Sequence, residues 1–371
     1  MDDRIVVLQV LGSLGLGGAE SRMMDVFRHI DRTKYEFAFL SMDDSNEYFE
    51  QEIRQLGAQV YRIPAPSFRH LPKHIKELRR VMRDSKCNVV HAHTSFHCGL
   101  AMLAAKMEHV PIRISHARTT GSVRRNRIKQ IALFVGRALI TKFSTHRFAI
   151  SQAAGFFLFG NTKFEILPNA IDTSLYQRET KVDSMKIRRE LGLPEEAMII
   201  GQIGRFNSMK NHSFSINWFH EFQKYNSKAC LAFIGFGSEQ EHYKKQVAEL
   251  GDSQKVFFLG GRGDVPRVIH AFDLILFPSI FEGLGGVSLE AQAAGIPVVQ
   301  SDSLPAETDM GLGLIKRCSL DAPLSEWTEA VNESLQLARP DYNTINQAFI
   351  SKKYSLDSEI KRLCEVYSGK S

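Results

Sequence analysis

The chain has 371 residues, 43% of them apolar and 24% charged, with a formal charge of +6. That length fits two domains better than one core, and the composition excludes a largely disordered protein. Five dispersed cysteines (Cys87, Cys98, Cys230, Cys318, Cys364), none in a Cys-x-x-Cys pair, exclude a cysteine-rich zinc module or a disulfide scaffold and suit a reducing cytoplasm. The positive balance invites an anionic partner without naming one: nucleic acid, lipid surface and phosphorylated substrate all qualify.

Met1-Asp2-Asp3-Arg4 carries acid where a secretory leader needs bases, so no leader is expected. The stretch Cys87–Ala105 is free of Lys, Arg, Asp and Glu, but its three histidines make it a poor bilayer span. In chain order, Ile5–Leu11 reads as a buried strand, followed by a glycine turn and a helix from about Ala19 to Ile30. Strand signals recur at Phe37–Leu40, Gln59–Ile63, Val89–His91, Ile112–Ser115 and Phe148–Ile150, with helical spacing between them. After a polar segment at Pro168–Pro194, the pattern restarts at Met198–Ile203. It continues at Ala232–Ile234, Val256–Leu259, Leu274–Phe277 and Val298–Val299. Short apolar strands alternating with helices predict parallel sheets covered on both faces, here two successive α/β domains.

Four motifs sit where strands hand over to helices. Gly12-Ser-Leu-Gly15-Leu-Gly17-Gly18-Ala19-Glu20 follows the first strand; glycines admit a ligand to the backbone, and a helix N-terminus offers N–H groups to phosphate. A tight turn with no ligand is the plain alternative. The spacing matches neither G-x-G-x-x-G nor a P-loop. His91-Ala-His93-Thr-Ser-Phe-His97-Cys98 suggests metal, but no carboxylate accompanies it. A cleft-lining histidine at the carboxyl end of a strand is preferred. Alternation puts His91 and His93 on one face, with His97 on the following helix. Gly204-Arg205-Phe206-Asn207-Ser208-Met209-Lys210-Asn211 offers two cations to a diphosphate, though such a pair alone is a weak signal. In Pro278–Pro297, a strand end, a glycine-rich turn and a helix starting near Gly286 carry Glu282 and Glu290. Carboxylates there can accept from sugar hydroxyls, and the N–H groups of Leu284–Val287 can hold phosphate oxygens. A solvated helix position is the plain reading of Glu290.

Together these residues resemble the E-x7-E signature of retaining GT-B glycosyltransferases of family 4. Gly-Gly-Ala-Glu, His-x-His, Gly-Arg-Phe-x3-Lys-Asn and Glu-Gly-x-Gly-x4-Leu-Glu-Ala occur in the family's order from Gly12 to about Asp302. The stretch Ser115–Thr120 is most similar to bacterial capsule and exopolysaccharide enzymes. The resemblance implies two Rossmann-like domains facing each other across a cleft, 1–170 binding acceptor and 171–352 binding donor. It also implies a last helix, within 353–371, returning to the first domain; Leu356–Tyr367 has the spacing of an amphipathic helix. Gly15, Gly17 and Gly18 would face the donor diphosphate, and His93 would approach the transferred sugar. Arg205 and Lys210 would stabilise the departing diphosphate, Glu282 would contact sugar hydroxyls, and Glu290 the ribose. Leu284, Gly285, Gly286 and Val287 would bind phosphate and sugar through their backbone. Leu284 stands where Phe is commoner and Gly286 where a larger apolar residue is, which leaves sugar identity open. The implied activity is transfer from a nucleotide-sugar, UDP being the commonest donor, to a lipid-linked saccharide, with no metal or other cofactor. A sugar-nucleotide 2-epimerase and a catalytically silent membrane-docking protein are the alternatives on the same fold.

The charge is unevenly spread. From His109 to Phe164 there are seven Arg and three Lys and no acid, so the segment carries +10 and the remainder about −4. Arg124, Arg125 and Arg127 are the expected docking cations for an anionic membrane surface. A peripheral protein on the inner face of the cell membrane is therefore expected, and nucleic acid is not.

Overall fold

A computed structural model describes residues 4–15, 17–43, 48–119, 127–177 and 181–370. The chain divides into two compact units, residues 1–170 with 356–371, and residues 171–355.

The first unit is built on a seven-stranded sheet: β1 (Ile5–Leu11), β2 (Tyr35–Ser41), β3 (Gln59–Arg62), β4 (Val89–Ala92), β5 (Ile112–Ala117), β6 (His146–Ala149) and β7 (Glu165–Ile166). Its order is β3-β2-β1-β4-β5-β6-β7, and all pairs are parallel. Val7, Leu8 and Val10 are fully buried because helices cover both faces, which is why β1 reads as an apolar run interrupted only by Gln9. Phe27 of the helix Gly18–His29 packs edge-on to Phe39 at 5.1 Å, in a core that also holds Phe37 and Tyr367.

The last helix, Leu356–Tyr367, belongs to this unit. Leu356, Leu363, Val366 and Tyr367 form its buried stripe, with the spacing of one helical face. The Tyr35 hydroxyl donates to the Cys364 carbonyl at 3.2 Å, fastening the helix beside β2.

The second unit carries six parallel strands: β8 (Met198–Ile203), β9 (Ala229–Ile234), β10 (Val256–Phe258), β11 (Leu274–Phe277), β12 (Val298–Ser301) and β13 (Ile315–Cys318). Their order is β10-β9-β8-β11-β12-β13. Trp218 stacks on Phe222 at 4.6 Å in its core, and Trp327 is likewise fully buried. Two edge strands, β7 and β13, have no counterpart in the sequence reading. β7 is two residues long, and β13 mixes Lys316 and Arg317 with Ile315 and Cys318, so neither makes an apolar run.

In both sheets the order reverses beside the first strand of the unit, between β1 and β4 and between β8 and β11. Parallel sheets open a crevice at the carboxyl ends of such a pair, because successive crossovers there turn to opposite faces. The four motifs all follow these strands.

Candidate active site

In the first unit, β1 runs into the turn containing Gly15 and Gly17, and Gly18 opens the next helix. Gly17 is the helix cap and supplies no side-chain acceptor to the first-turn N–H groups. A Cβ on Gly18 would meet nothing within 4 Å, and one on Gly15 only the Ser13 hydroxyl at 3.7 Å, so the turn is open at both positions.

His93 follows β4 directly and is half-buried, while His91 within β4 is fully buried, with ring centroids 4.2 Å apart. His97 closes a short 3-10 turn just before the helix Cys98–Met107. The structure adds His116 at the end of β5: one ligating atom from each of His91, His93 and His116 lies within 4.8 Å of the others.

That triad is a hydrogen-bond chain, and its proton positions follow by elimination. The Leu167 carbonyl can only accept, so His116 Nε2 carries a proton and donates to it at 3.3 Å. His116 Nδ1 then accepts from His91 Nε2 at 3.1 Å, and His91 Nδ1 accepts from the Tyr367 hydroxyl at 2.8 Å. The Tyr367 oxygen accepts from Gln9 Nε2 at 3.3 Å, which turns Gln9 Oε1 toward His93 Nε2 at 2.9 Å. His93 Nδ1 accepts from Arg118 Nε at 3.2 Å. Because burial keeps each imidazole neutral, each ring carries one proton, in the positions just given. Burial holds all three histidines well below the usual imidazole range, and the Arg118 charge adds to it. A metal ion does not fit: every ring nitrogen is committed, and a guanidinium already touches the cluster.

Among the described residues of the basic 109–164 segment, Arg118 is the one buried cation, and it also donates to Asn169. Its Nη2 stands 3.8 Å from Glu359 Oε1 of the last helix, both side chains 1% exposed. Glu359 Oε2 accepts from the Ala170 N–H at 3.1 Å. Burial raises the Glu359 carboxyl, opposed by Arg118. Gln9, Arg118, Glu359 and Tyr367 were not singled out in sequence; they meet only through the fold, Gln9 and Tyr367 lying 358 positions apart.

In the second unit, β8 leads into the turn of Arg205 and Lys210. Asn207 caps it by accepting from the Lys210 N–H at 3.2 Å, and Gln202 Nε2 donates to the Lys210 carbonyl at 2.8 Å. Lys210 Nζ reaches Glu282 Oε1 at 2.6 Å and lies 4.9 Å from the centre of the Phe277 ring. The Ile280 N–H donates to the Met209 carbonyl at 2.9 Å, tying the loop after β11 to the turn after β8. Arg205 is exposed, its guanidinium 5.8 Å from the half-exposed ring of Phe236, another residue the sequence reading did not select. The backbones of these loops touch: a Cβ on Gly235 would lie 1.9 Å from the Gly204 carbonyl oxygen, which demands glycine there.

Beyond Glu282, Leu284 is buried. Gly285 adopts φ +90° at the cap of the helix Gly286–Ala293, where an added Cβ would meet Thr308 at 3.4 Å. Gly286 is exposed and Val287 half-buried at the helix start. Glu290, half-buried, sits one turn in. Gln292 holds this helix by donating to the Thr308 carbonyl at 2.8 Å and accepting from the Met310 N–H at 2.9 Å. The structure thus joins Lys210 to Glu282 directly and keeps Arg205 in the same turn. His93 and Gly15–Gly18 belong to the other unit.

Two glycosyltransferase families match this chain: "Glycosyltransferase Family 4" over residues 16–175 and "Glycosyl transferases group 1" over residues 183–309. A putative glycosyltransferase, EpsF of Bacillus subtilis (strain 168), is 32% identical over 98% of this chain and 96% of its own. This chain belongs to the family-4 glycosyltransferases. The capsular polysaccharide biosynthesis glycosyltransferase CapH of Staphylococcus aureus is 24% identical over 99% of both chains. An Escherichia coli UDP-Gal:alpha-D-GlcNAc-diphosphoundecaprenol alpha-1,3-galactosyltransferase is 23% identical over 62% of both. The crystal structure of Anabaena HepE in complex with UDP superposes with a TM-score of 0.79 at 22% identity, covering 99% of this chain and 100% of that one, and shares the GT-B fold.

Of the expected docking cations, Arg124 and Arg125 lie outside the described residues. Arg127 opens the helix Arg127–Phe143, its side chain also outside the description. Among the described residues no helix is long and apolar enough to cross a membrane.

Proposed function

We propose that this glycosyltransferase is a retaining, metal-independent hexosyltransferase. It takes its sugar from a nucleotide-sugar, with UDP-sugar the first choice, and transfers it to a hydroxyl of a lipid-linked saccharide in exopolysaccharide or capsule synthesis. The observation that carries the reading is the Lys210–Glu282 pair with Arg205 in the same turn, above the switch point of a parallel sheet. Transfer breaks the bond from the anomeric carbon to the β-phosphate oxygen, so negative charge grows on that phosphate. Fixed cations and helix N–H groups aimed at it lower the barrier. Glu282, set by Lys210, is assigned to sugar hydroxyls, Glu290 to the ribose and the Leu284–Val287 backbone to phosphate.

The second unit is assigned to the donor and the first to the acceptor. His93 contributes as a neutral group. Its Nδ1 lone pair is taken by Arg118 and its Nε2 already carries a proton, so it is not assigned as the base. The acceptor proton goes instead to the departing phosphate as the new bond forms on the same face, which accounts for retention. No resident cofactor is called for. HepE, solved with UDP, supports the donor choice; the lipid diphosphate in the name of the E. coli relative supports the acceptor class. An anionic membrane surface is the proposed setting.

The test is incubation of the purified protein with UDP-, GDP- and ADP-sugars, with and without a lipid-linked saccharide, reading nucleotide release and product anomer. UDP release that requires acceptor, with retained configuration, is expected. Conversion of donor alone to its C2 epimer would establish the epimerase instead, and no turnover with any donor would sink the proposal.

A further inference from the structure

Gln9 lies in the middle of β1 and is fully buried. A glutamine inside a strand covered on both faces costs stability unless its amide is paired. Its register partner on β4 is His91, and the backbone N–H of His93, two residues on, donates to the Val10 carbonyl at 2.9 Å. Gln9 and His93 are therefore neighbours on a fixed backbone. The amide spends both ends on the polar cluster: Oε1 accepts from His93 Nε2 at 2.9 Å, and Nε2 donates to the Tyr367 hydroxyl at 3.3 Å. Arg118 grips the same ring at its other nitrogen, Nε donating to His93 Nδ1 at 3.2 Å. Arg118 is held in turn by Asn169 and by Glu359, 3.8 Å away. Each grip on His93 thus leads back to the last helix, one through Tyr367 and the other through Glu359.

We propose that Gln9 and Arg118 are positioning residues for His93, clamping its imidazole from opposite nitrogens so that substrate meets one ring orientation and one tautomer, with the proton on Nε2. A guanidinium can only donate, so Nδ1 is the acceptor and a neutral ring keeps its proton on Nε2. Gln9 leads to the same tautomer independently. The Tyr367 hydroxyl gives its proton to His91 and accepts from the amide nitrogen, which leaves the amide oxygen for His93. One bond alone would let the ring pivot; two at opposite nitrogens stop it. A flipped ring would turn Cδ2 to Arg118 and Cε1 to Gln9 and lose both bonds. Apolar residues at these positions would cover the strand without any desolvation cost, so what the polar pair adds is direction. The last helix thereby acts on transfer, through Tyr367 and Glu359. The inference rests on the proposed part of His93 in transfer and names what holds it there.

The test compares wild type, His93→Ala, Gln9→Met and Gln9→Met/His93→Ala by steady-state kinetics of the full chain with a UDP-sugar and a lipid-linked saccharide. Met keeps the length of Gln and removes both amide bonds. Gln9→Met should lower kcat by about 10- to 100-fold, the scale of a misplaced active-site group, with donor KM within about twofold. In the His93→Ala background the same substitution should change kcat by less than about twofold, because the group it positions is gone. A structural role would reduce the active fraction equally in both backgrounds, so equal losses overturn the inference, as does an unchanged kcat in Gln9→Met. Tyr367→Phe removes a single hydroxyl and serves where Gln9→Met does not fold. Its kcat should fall by about fivefold, the worth of one neutral hydrogen bond, and only where His93 is present; an unchanged kcat overturns the inference. Imidazole nitrogen spectra of histidine-labelled wild type, with the His93 signals assigned by their loss in His93→Ala, should place its proton on Nε2. A proton on Nδ1 overturns the inference too. Wild-type turnover matched by His93→Ala defeats the positioning role and leaves the proposed transfer standing, whereas absent turnover by wild type defeats both.

Discussion

Above the central strands of the first unit, three neutral imidazoles are held in a hydrogen-bonded network that runs from the buried guanidinium of Arg118 to the Leu167 carbonyl. Above the corresponding strands of the second, Lys210 and Glu282 form an ion pair with side chains 18% and 16% exposed, Glu290 is half-buried and Arg205 is exposed. The strand order and its reversal are alike in the two sheets, so topology does not explain the difference. What differs is cover. The last helix brings Glu359 and Tyr367 onto the first sheet and closes its polar groups away from water, and a buried group must find its partner inside. Glycine turns leave the second crevice open, and its charges keep one another in place while remaining accessible.

The sharpest way to break this contrast is to remove the buried cation. Arg118→Met leaves Glu359 without a counter-charge and should cost about 3–5 kcal/mol in denaturant unfolding, with Arg118→Met/Glu359→Gln recovering much of it. A loss below about 1 kcal/mol would mean that the site is hydrated. In the second unit the effect should fall on rate instead. Lys210→Ala should lower kcat by about 10²–10³-fold, the scale of losing one fixed transition-state donor, while the melting temperature changes little. A large fall in melting temperature with unchanged turnover would make Lys210 a structural residue.

Proton linkage sharpens the comparison further. His91, His93 and His116 stay neutral when folded and take up protons near 6.5 once unfolded. Their contribution to stability is therefore present above pH 6.5 and is lost as pH falls through that value toward the depressed folded pKa values, each group with a slope of up to about 1.4 kcal/mol per pH unit. His212, held down to about 3 in the second unit, acts with the same sign but singly at its switch point. Glu359 acts oppositely: its raised carboxyl favours the folded state as pH falls toward 4.5. Amide exchange between pH 7.5 and 5.5 should show the first sheet losing more protection than the second; equal losses would contradict the buried chain. The smallest effect belongs to Glu290→Ala, which should raise donor KM about tenfold, the worth of one hydrogen bond to a charged group, with kcat nearly unchanged. An unaltered KM would leave Glu290 a solvated helix residue.

Much of the fold was legible because β1, β4, β8 and β11 are covered on both sides and so are written as mainly apolar runs, broken only by Gln9, His91 and Gln202. Short edge strands such as Ile315–Cys318 carry no such run. The glycine turns, the Arg205–Lys210 pair and the Glu282–Glu290 spacing are local, within about ten residues each, and could be read in order. The Arg118–Glu359 and Gln9–Tyr367 contacts could not, because nothing within either segment announces a partner more than two hundred positions away. The basic segment was legible as a charge count, but the withdrawal of Arg118 into the core depends on its distant partners His93, Asn169 and Glu359, and the outward exposure of Ile131 and Phe134 on the helix rotation that Gly99 and Gly136 impose.

The most direct measurement is calorimetric titration of UDP into wild type and into Arg205→Ala/Lys210→Ala. The account predicts saturable binding by wild type and an affinity lower by about 100-fold or more in the double variant, with folding intact by circular dichroism. Equal UDP affinity in the two proteins, or no nucleotide binding by wild type, would contradict it.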